Sequence, residues 1–436
     1  MTSEALRYDE AFVWVWLPGA TEPVVAGRLH AEGRLAIFNY GRSYLARSDA
    51  IPLYLPELPL EAGELPLLPG LAMPGCLRDA APDAWGRRVI LNRLFGTRRD
   101  DPGMEFPELA FLLESGSDRI GALDFQMSAT EYRPRSVATA SLTELVESAE
   151  RLENGLSLSP VLAQALQHGS SIGGARPKAL INDGDVRYVA KFSSSSDFYS
   201  VVKAEFVAMR LAALSGVAVA PVCLAHVAGK DVLLVERFDR VRSNGRWLRR
   251  SMVSALTVLA LDEMLAAYAS YQDLAEIIRR RFTHPAATLR DLFARIVFNV
   301  LCGNTDDHAR NHAAFWDGEK LLLTPAYDIC PQSRTGQEAT QAMLISGNDR
   351  NSQIESCVQA AHHFLLSQKE AIALVEGQLR AIAEHWRGVC DEAGLGAAER
   401  RFFWGRQFLN PYAFHALSGN AAGIARLATE IRGDAG

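Results

Sequence analysis

Cysteine is scarce in this chain of 436 residues: the six (Cys76, Cys223, Cys302, Cys330, Cys357 and Cys390) form no Cys-x-x-Cys pair and show no metal-ligand spacing with histidine. That excludes a disulfide scaffold and a zinc-binding module, and suits a reducing compartment. No uninterrupted apolar run approaches the ~20 residues a membrane-spanning helix needs. Glu4, Asp9 and Glu10 stand where a signal peptide would carry basic residues. The reading is a soluble, cytoplasmic protein. An excess of positive charge is also missing, since 45 Lys+Arg face 51 Asp+Glu for a net charge of -6. The chain as a whole is therefore no basic nucleic-acid binder, although Arg279-Arg280-Arg281 leaves room for a local basic patch. No internal repeat or low-complexity tract occurs. A mean hydropathy of -0.01 with 22% charged residues argues against extended disorder.

At this length two or three hydrophobic cores are expected. Phe12–Trp16, Pro23–Gly27 and Leu35–Phe38 read as short strands of a β-rich N-terminal subdomain, followed by a proline-rich stretch over 51–74 and short helices over 83–94 and 105–114. Helical spacing over 142–168 runs into Gly169-Ser-Ser-Ile-Gly-Gly-Ala-Arg-Pro-Lys178, the densest glycine cluster in the chain. Strands over 178–181 and 186–192 flank the turn signal Asn182-Asp183-Gly184-Asp185. An amphipathic helix carrying Glu205 follows, then strands over 221–227 and 232–238. From Ser251 onward the pattern is predominantly helical. The division expected is 1–135 for the β-rich subdomain, 136–245 for a nucleotide-binding part and 246–436 for an α-helical catalytic lobe.

A helix over 289–301 leads into Gly303-Asn-Thr-Asp-Asp-His-Ala-Arg-Asn311, then a hairpin turning at Asp317-Gly318, then Tyr327-Asp328. Phosphoryl transfer needs a carboxylate near the attacking hydroxyl, together with an amide oxygen and a second carboxylate that hold Mg²⁺ against the phosphates of ATP. Asp306 supplies the base, and Asn311 and Asp328 the metal ligands. Protein kinases place an asparagine five residues after the catalytic aspartate and the metal-binding aspartate beyond a hairpin, which is the spacing found here. An Asp-x4-Asn pair alone is common as capping or loop chemistry. The glycine cluster upstream, whose backbone N–H groups suit phosphates, and Lys191 on the following strand complete a kinase-like order, with Glu205 as the orienting partner of Lys191. Taken singly, Lys191 also reads as an edge-strand lysine and Glu205 as a solvated helix residue. Glu236, Arg237 and Phe238 stand where kinases read the adenine edge, or else end a plain strand. The pair His362-His363 is read as structural.

These blocks resemble the HipA family: Ser171-Ile-Gly-Gly-Ala-Arg-Pro-Lys178, Tyr188–Lys191, Val235-Glu-Arg-Phe-Asp-Arg240, Asn304–Asn311 and Thr324-Pro-Ala-Tyr-Asp328. The N-terminal region is similar through Val24–Arg28, Leu77–Pro82 and Asp118–Leu123. The resemblance implies an α+β, two-lobed protein-kinase-like fold with a β-rich N-terminal subdomain and an α-helical C-terminal lobe. It implies ATP and Mg²⁺ as cofactors and a protein substrate phosphorylated on Ser or Thr, with aminoacyl-tRNA synthetases among family targets. A helix-turn-helix antitoxin of HipB type is the implied partner, with DNA reached only through it and no membrane. Carried onto this chain, the phosphate loop is Gly173, Gly174, Ala175, Arg176, Pro177 and Lys178, the ATP-contacting lysine is Lys191, and the adenine segment is Glu236 to Phe238. His308 and Tyr327 fall at the nucleotide site, and Ser171 matches an autophosphorylated loop serine, with adjacent Ser170 equivalent in chemistry. The stretch Arg246–Leu256 departs from the more acidic sequence of many relatives. Two rival functions stand beside the toxin kinase: a small-molecule phosphotransferase, and a non-catalytic co-repressor acting with a DNA-binding antitoxin.

Overall fold

A computed structural model describes residues 8–96, 106–135, 140–156, 158, 166, 176–194, 197–334, 336 and 338–434. The fold is mixed α+β, with the sheets concentrated towards the N-terminus and helices dominating the C-terminal part. Two compact units emerge: unit 1 is Met1–Ser196, Ala225–Asp262 and Ala313–Lys320, and unit 2 is Asp197–Leu224, Glu263–His312 and Leu321–Gly436. Among the described residues no helix is long and apolar enough to cross a membrane.

In unit 1, β1 (Glu10–Val15), β2 (Val24–Glu32), β3 (Leu35–Tyr40), β4 (Glu64–Leu65) and β5 (Leu123–Gln126) form a sheet in the order β4-β3-β2-β1-β5. The interior strand β1 buries Ala11, Val13, Trp14 and Val15, so both of its faces are covered. Gly27 is required where β2 crosses β3, because a Cβ there would collide with the Asn39 carbonyl and the Phe38 ring.

A second sheet takes the order β6-β7-β9-β8, with β6 at Lys178–Asp183, β7 at Val186–Phe192, β8 at Val222–Val227 and β9 at Lys230–Glu236. The turn expected between β6 and β7 is present, with Asp183 opposite Val186 and Gly184 at φ 55°. Ala190, Phe192 and Val232 pack with Trp85 and Val89 of the helix Ala84–Phe95 and with Leu145 and Leu152 of the helix Leu142–Glu153. A capping box between Ser141 and Glu144 starts the second of these helices.

The hairpin of β10 (Arg240–Ser243) and β11 (Arg246–Arg249) was not among the expected elements. Asn244 and Gly245 turn it at φ 49° and 76°, the left-handed pair that a two-residue hairpin favours. Next, β12 (Met252–Ser254) pairs with β13 (Ala313–Trp316). The Asp317 carboxylate then accepts from the backbone N–H groups of Glu319 (2.8 Å) and Lys320 (2.7 Å), making the turn the sequence predicts there.

Unit 2 is built on the helix Pro285–Cys302, which buries Leu292, Phe293, Ile296, Val297, Val300 and Leu301. Gly303 ends it in the left-handed region at φ 74°, where a Cβ would stand 2.7 Å from the Gln407 carbonyl oxygen. The helix Val201–Leu214, which carries Glu205, packs on the helix Gln368–Glu392. Trp386 on the latter lies 4.7 Å from Trp404 and 4.9 Å from Phe408, ring centre to ring centre.

Lys178, placed by the resemblance at the end of the phosphate loop, turns its ammonium inward. It is 1% exposed and its Nζ lies 2.6 Å from Asp83 Oδ2. Asp83 also caps the helix Ala84–Phe95 by accepting from Gly86 N–H at 2.8 Å, and Trp85 Nε1 donates to the Lys178 carbonyl at 3.1 Å. The start of β6 is thereby tied to a helix end. Breaking a buried ion pair by deleting one partner costs about 3–5 kcal/mol. Asp83→Ala is expected to lose stability in that range by urea unfolding, and a loss under about 1 kcal/mol would show that the pair is not what holds this corner.

Candidate active site

The helix Pro285–Cys302 delivers the polar loop 303–312, and the loop is fixed from several sides. Asn304 N–H donates to the Asn299 carbonyl at 2.9 Å, the Gly303 carbonyl accepts from Gln332 N–H at 3.0 Å, and the Thr305 carbonyl accepts from Ala342 N–H at 3.0 Å. Its two adjacent aspartates have opposite environments. The Asp306 side chain reaches solvent, whereas Asp307 is 3% exposed.

Asp307 is a hub. Its Oδ2 accepts from Asn299 Nδ2 at 2.7 Å and from Tyr271 OH, and it pairs with His312 Nε2 at 2.8 Å. Burial pushes its carboxyl up, but the His312 charge and the hydrogen bonds from His312 and Tyr271 outweigh that and hold it below the usual carboxylate range. Sequence reasoning passed over Asp307 and His312. A signal was available in the doubling of the aspartate and in the polar Asn299 amid the apolar residues of its helix.

Asp306 shifts the other way. Partial burial raises its carboxyl above the ordinary 3.8, the neighbouring carboxylates of Asp328 and Asp307 raise it further, and His308 opposes them. Asn311 N–H donates to the His308 carbonyl at 2.8 Å and its Nδ2 to the Asp306 carbonyl at 3.3 Å. The amide nitrogen is thereby engaged with the loop, and the oxygen is the end suited to a cation.

The residues on the far side of the hairpin are held just as closely. Arg295, 1% exposed, donates through one terminal nitrogen to Asp291 Oδ2 (2.6 Å) and the Thr324 carbonyl (2.7 Å). Ala326 exchanges backbone hydrogen bonds with Ala218 and Ala220 at 2.8 and 2.9 Å. Asp328 then adopts φ 60°, a left-handed conformation that costs a non-glycine residue about 1 kcal/mol or more and is found where surroundings impose it. Tyr327 OH donates to the Arg310 carbonyl at 2.7 Å, linking this segment to the turn Ala309–Asn311.

Unit 2 thus brings together Asp306, His308, Asn311, Tyr327 and Asp328. The metal donors among them, the Asp328 carboxylate and the Asn311 amide oxygen, are the hard oxygen chemistry that Mg²⁺ prefers. His308 Nδ1 is buried and has no hydrogen-bond partner among the described residues, which leaves a polar atom for a bound nucleotide to satisfy. The residues fit a Mg²⁺–nucleotide.

The remaining candidates are in unit 1, apart from Glu205, which is buried in unit 2. Lys191 lies on β7 opposite Lys178 on one side and Leu233 on the other. Glu236 ends β9. The Arg237 N–H donates to the Arg187 carbonyl at 2.8 Å and its guanidinium is buried, so Arg237 meets the interior through both groups. The Phe238 ring stands edge-on to Phe315 at 5.9 Å. Pro177 is buried, with its carbonyl accepting from Phe192 N–H at 3.0 Å, and Arg176 is half-buried. Gly173, Gly174, Ala175, Ser170 and Ser171 lie outside the described residues.

Tyr327→Phe deletes one neutral hydrogen bond, worth about 1 kcal/mol. The fold is expected to persist while amide exchange at Asn311 accelerates. Exchange at Asn311 indistinguishable from wild type would show that the tyrosine does not restrain the loop.

The chain is similar to known proteins in both sequence and fold. Residues 15–126 match the model of the HipA N-terminal domain, and residues 170–386 that of the HipA-like C-terminal domain. A putative kinase of Sinorhizobium fredii, Y4mE, is 27% identical over 297 residues, 62% of this chain and 68% of the relative. The serine/threonine-protein kinase toxin HipA of Shewanella oneidensis is 30% identical over 158 residues, 33% of this chain and about a third (36%) of that protein. A solved complex of Shewanella oneidensis HipA, HipB and operator DNA contains a chain that superposes with a TM-score of 0.67 at 18% identity, covering 98% of this chain and 96% of that one. With both domain models matched in order and the fold shared along nearly the whole length, the chain belongs to the HipA family.

Proposed function

We propose that this HipA-family chain is an ATP-dependent serine/threonine protein kinase of the toxin type. The observation that carries the reading is the grouping in unit 2 of a solvent-reaching carboxylate, Asp306, with Asn311, which donates to its carbonyl, and a left-handed Asp328 that directly follows the restrained Tyr327. Asp306 accepts the proton of the substrate hydroxyl as it attacks the γ-phosphate, and its raised pKa brings it closer to the basicity that task needs. Asn311 and Asp328 hold Mg²⁺, which when bound neutralises charge on the phosphates. His308 contacts the nucleotide, Tyr327 keeps the two loops in register, Lys191 meets phosphate oxygens, and the backbone of Glu236–Phe238 reads adenine.

The finer parts of the proposal follow from family membership. The target is a Ser or Thr of a protein, with an aminoacyl-tRNA synthetase as the class to try first. Phosphorylation of the glycine-rich loop at Ser171 switches the enzyme off by placing about two negative charges beside the ATP phosphates. A DNA-binding antitoxin of HipB type is the partner, a reading supported by the HipA–HipB–operator composition of the solved relative. The intact trio of Asp306, Asn311 and Asp328 favours a catalyst over a purely non-catalytic co-repressor.

Two variants separate the roles. Asp306→Ala is expected to bind Mg²⁺–ATP with near wild-type affinity by calorimetry yet transfer no phosphate, whereas Asp328→Ala loses affinity because a charged metal ligand is gone. Retained transfer by the first, or unchanged Mg²⁺–ATP affinity in the second, removes that assignment. The base acts deprotonated, so the rate is expected to fall on acidification as Asp306 takes up a proton. A rate that does not fall on the acid side contradicts the role.

A further inference from the structure

Two sequence blocks singled out above, Asp118–Leu123 and Val235–Arg240, are 112 or more residues apart in the chain, and the proposed chemistry uses only the backbone at 236–238. In the fold of unit 1 they close on one another. The Arg237 guanidinium meets Asp239 side by side, Nε to Oδ1 at 2.9 Å and a terminal nitrogen to Oδ2 at 2.8 Å. Its other donors reach Asp118 Oδ1 at 3.0 Å and the Arg119 carbonyl at 2.9 Å. Arg240 repeats the pattern, donating to Asp239 Oδ2, to Asp118 Oδ1 and to the Gly121 carbonyl, each at 2.8 Å. The Gly121 N–H completes the ring by donating to Asp239 Oδ2 at 2.8 Å. Arg237, Asp239 and Arg240 are each no more than 5% exposed, so these charge-assisted bonds are little screened.

The cluster extends to the neighbouring strands. Arg187 on β7 donates to Asp118 Oδ2 at 3.0 Å with its side chain, and its carbonyl accepts the Arg237 N–H at 2.8 Å. The Asp239 carbonyl accepts from Arg250 N–H at 3.0 Å, and Arg249 donates to the Ser117 carbonyl at 2.9 Å. At the ends of the arginine-rich run 237–250, Arg237 and Arg240 are buried and Arg249 and Arg250 half-buried, Arg250 over the Phe315 ring at 3.2 Å and Arg249 over Trp16 at 3.5 Å, whereas the hairpin tip 241–246 is exposed. Burial alone would push the Asp118 carboxyl up, but the four arginines 237, 240, 249 and 187 outweigh it and hold the group well below the usual range. Asp118 remains charged, as the geometry requires.

We propose that Asp118 and Asp239 are positioning residues, the two anions of a buried clamp through which the N-terminal β-rich subdomain sets the backbone of the adenine-reading segment Glu236–Phe238. The proposal rests on the kinase reading of that segment. Because the clamp grips Arg237 between two residues whose backbone meets the nucleotide, loosening it shifts nucleotide affinity more than the chemical step. The β-rich subdomain is then an obligatory part of the nucleotide site, and the Arg246–Arg250 stretch serves that end as well as forming a hairpin.

The test uses the full-length chain carrying Asp239→Asn, which keeps shape and removes charge. Asp118→Asn, at the rim with its side chain 20% exposed, serves as the second variant should the first not fold. Folding is checked by near-UV circular dichroism, and KM for ATP and kcat at saturating ATP are measured separately. The expected result is a rise of about tenfold in KM for ATP with kcat within about twofold of wild type, and partial recovery in Asp118→Glu. A folded variant with unchanged KM for ATP, whatever its melting temperature, overturns the clamp and leaves the kinase reading in place. A wild-type chain that neither binds Mg²⁺–ATP nor transfers phosphate refutes the kinase reading itself, and the clamp falls with it.

Discussion

Asp307, a buried carboxylate gathering three donors, is the constraint on which the rest of unit 2 depends. Asn299 comes from the last turns of the helix Pro285–Cys302, Tyr271 from the helix Tyr271–Arg281, and His312 from the far end of the same loop. A charge taken out of water this completely is tolerable only if its lone pairs are satisfied and a countercharge is near. Once those conditions are met, the loop has one conformation. Asp306, the preceding residue, is then presented outward, and Asn311, one residue before His312, is brought back against the Asp306 carbonyl.

The second half of the site is fixed by a different means. Arg295 takes its charge partner from its own helix and the Thr324 carbonyl from the segment beyond the hairpin, so the same helix that delivers the loop 303–312 also anchors the approach to Asp328. Tyr327 closes the remaining gap with one hydrogen bond to the Arg310 carbonyl. The strained conformation of Asp328 sits at the end of this chain of restraints, where backbone strain can be held by over-determined surroundings. Unit 1 carries a comparable hub of its own in the Asp118–Asp239 cluster, which binds two distant sequence blocks by charge.

Much of this was legible from sequence because it follows local rules. Gly303 ends a helix, Asp317-Gly318 makes a turn, and the apolar-rich stretches Phe12–Trp16 and Pro23–Gly27 overlap the strands Glu10–Val15 and Val24–Glu32, all within a few residues of the signal. The five-residue spacing from Asp306 to Asn311 was likewise readable. What escaped depends on partners far along the chain. The spacing marks Asp306 but does not show that Asp307 is interior, which only the arrival of Tyr271 and Asn299 brings about. Lys178 looks like a loop cation until Asp83, 95 residues earlier, is seen to receive it. The Asn244-Gly245 hairpin lies beyond 232–238, the last strand read from the sequence, although its turn signal is local.

The central claim is that Asp306 drives phosphoryl transfer in a HipA-family fold. Intact mass and phosphosite mapping of the purified wild-type chain and Asp306→Ala after incubation with Mg²⁺–ATP test it most directly. One added phosphate, mapped to Ser171 or its neighbour Ser170, is expected in the wild type and none in the variant. Equal phosphate in both proteins, or none in a wild type shown to bind Mg²⁺–ATP, would contradict it.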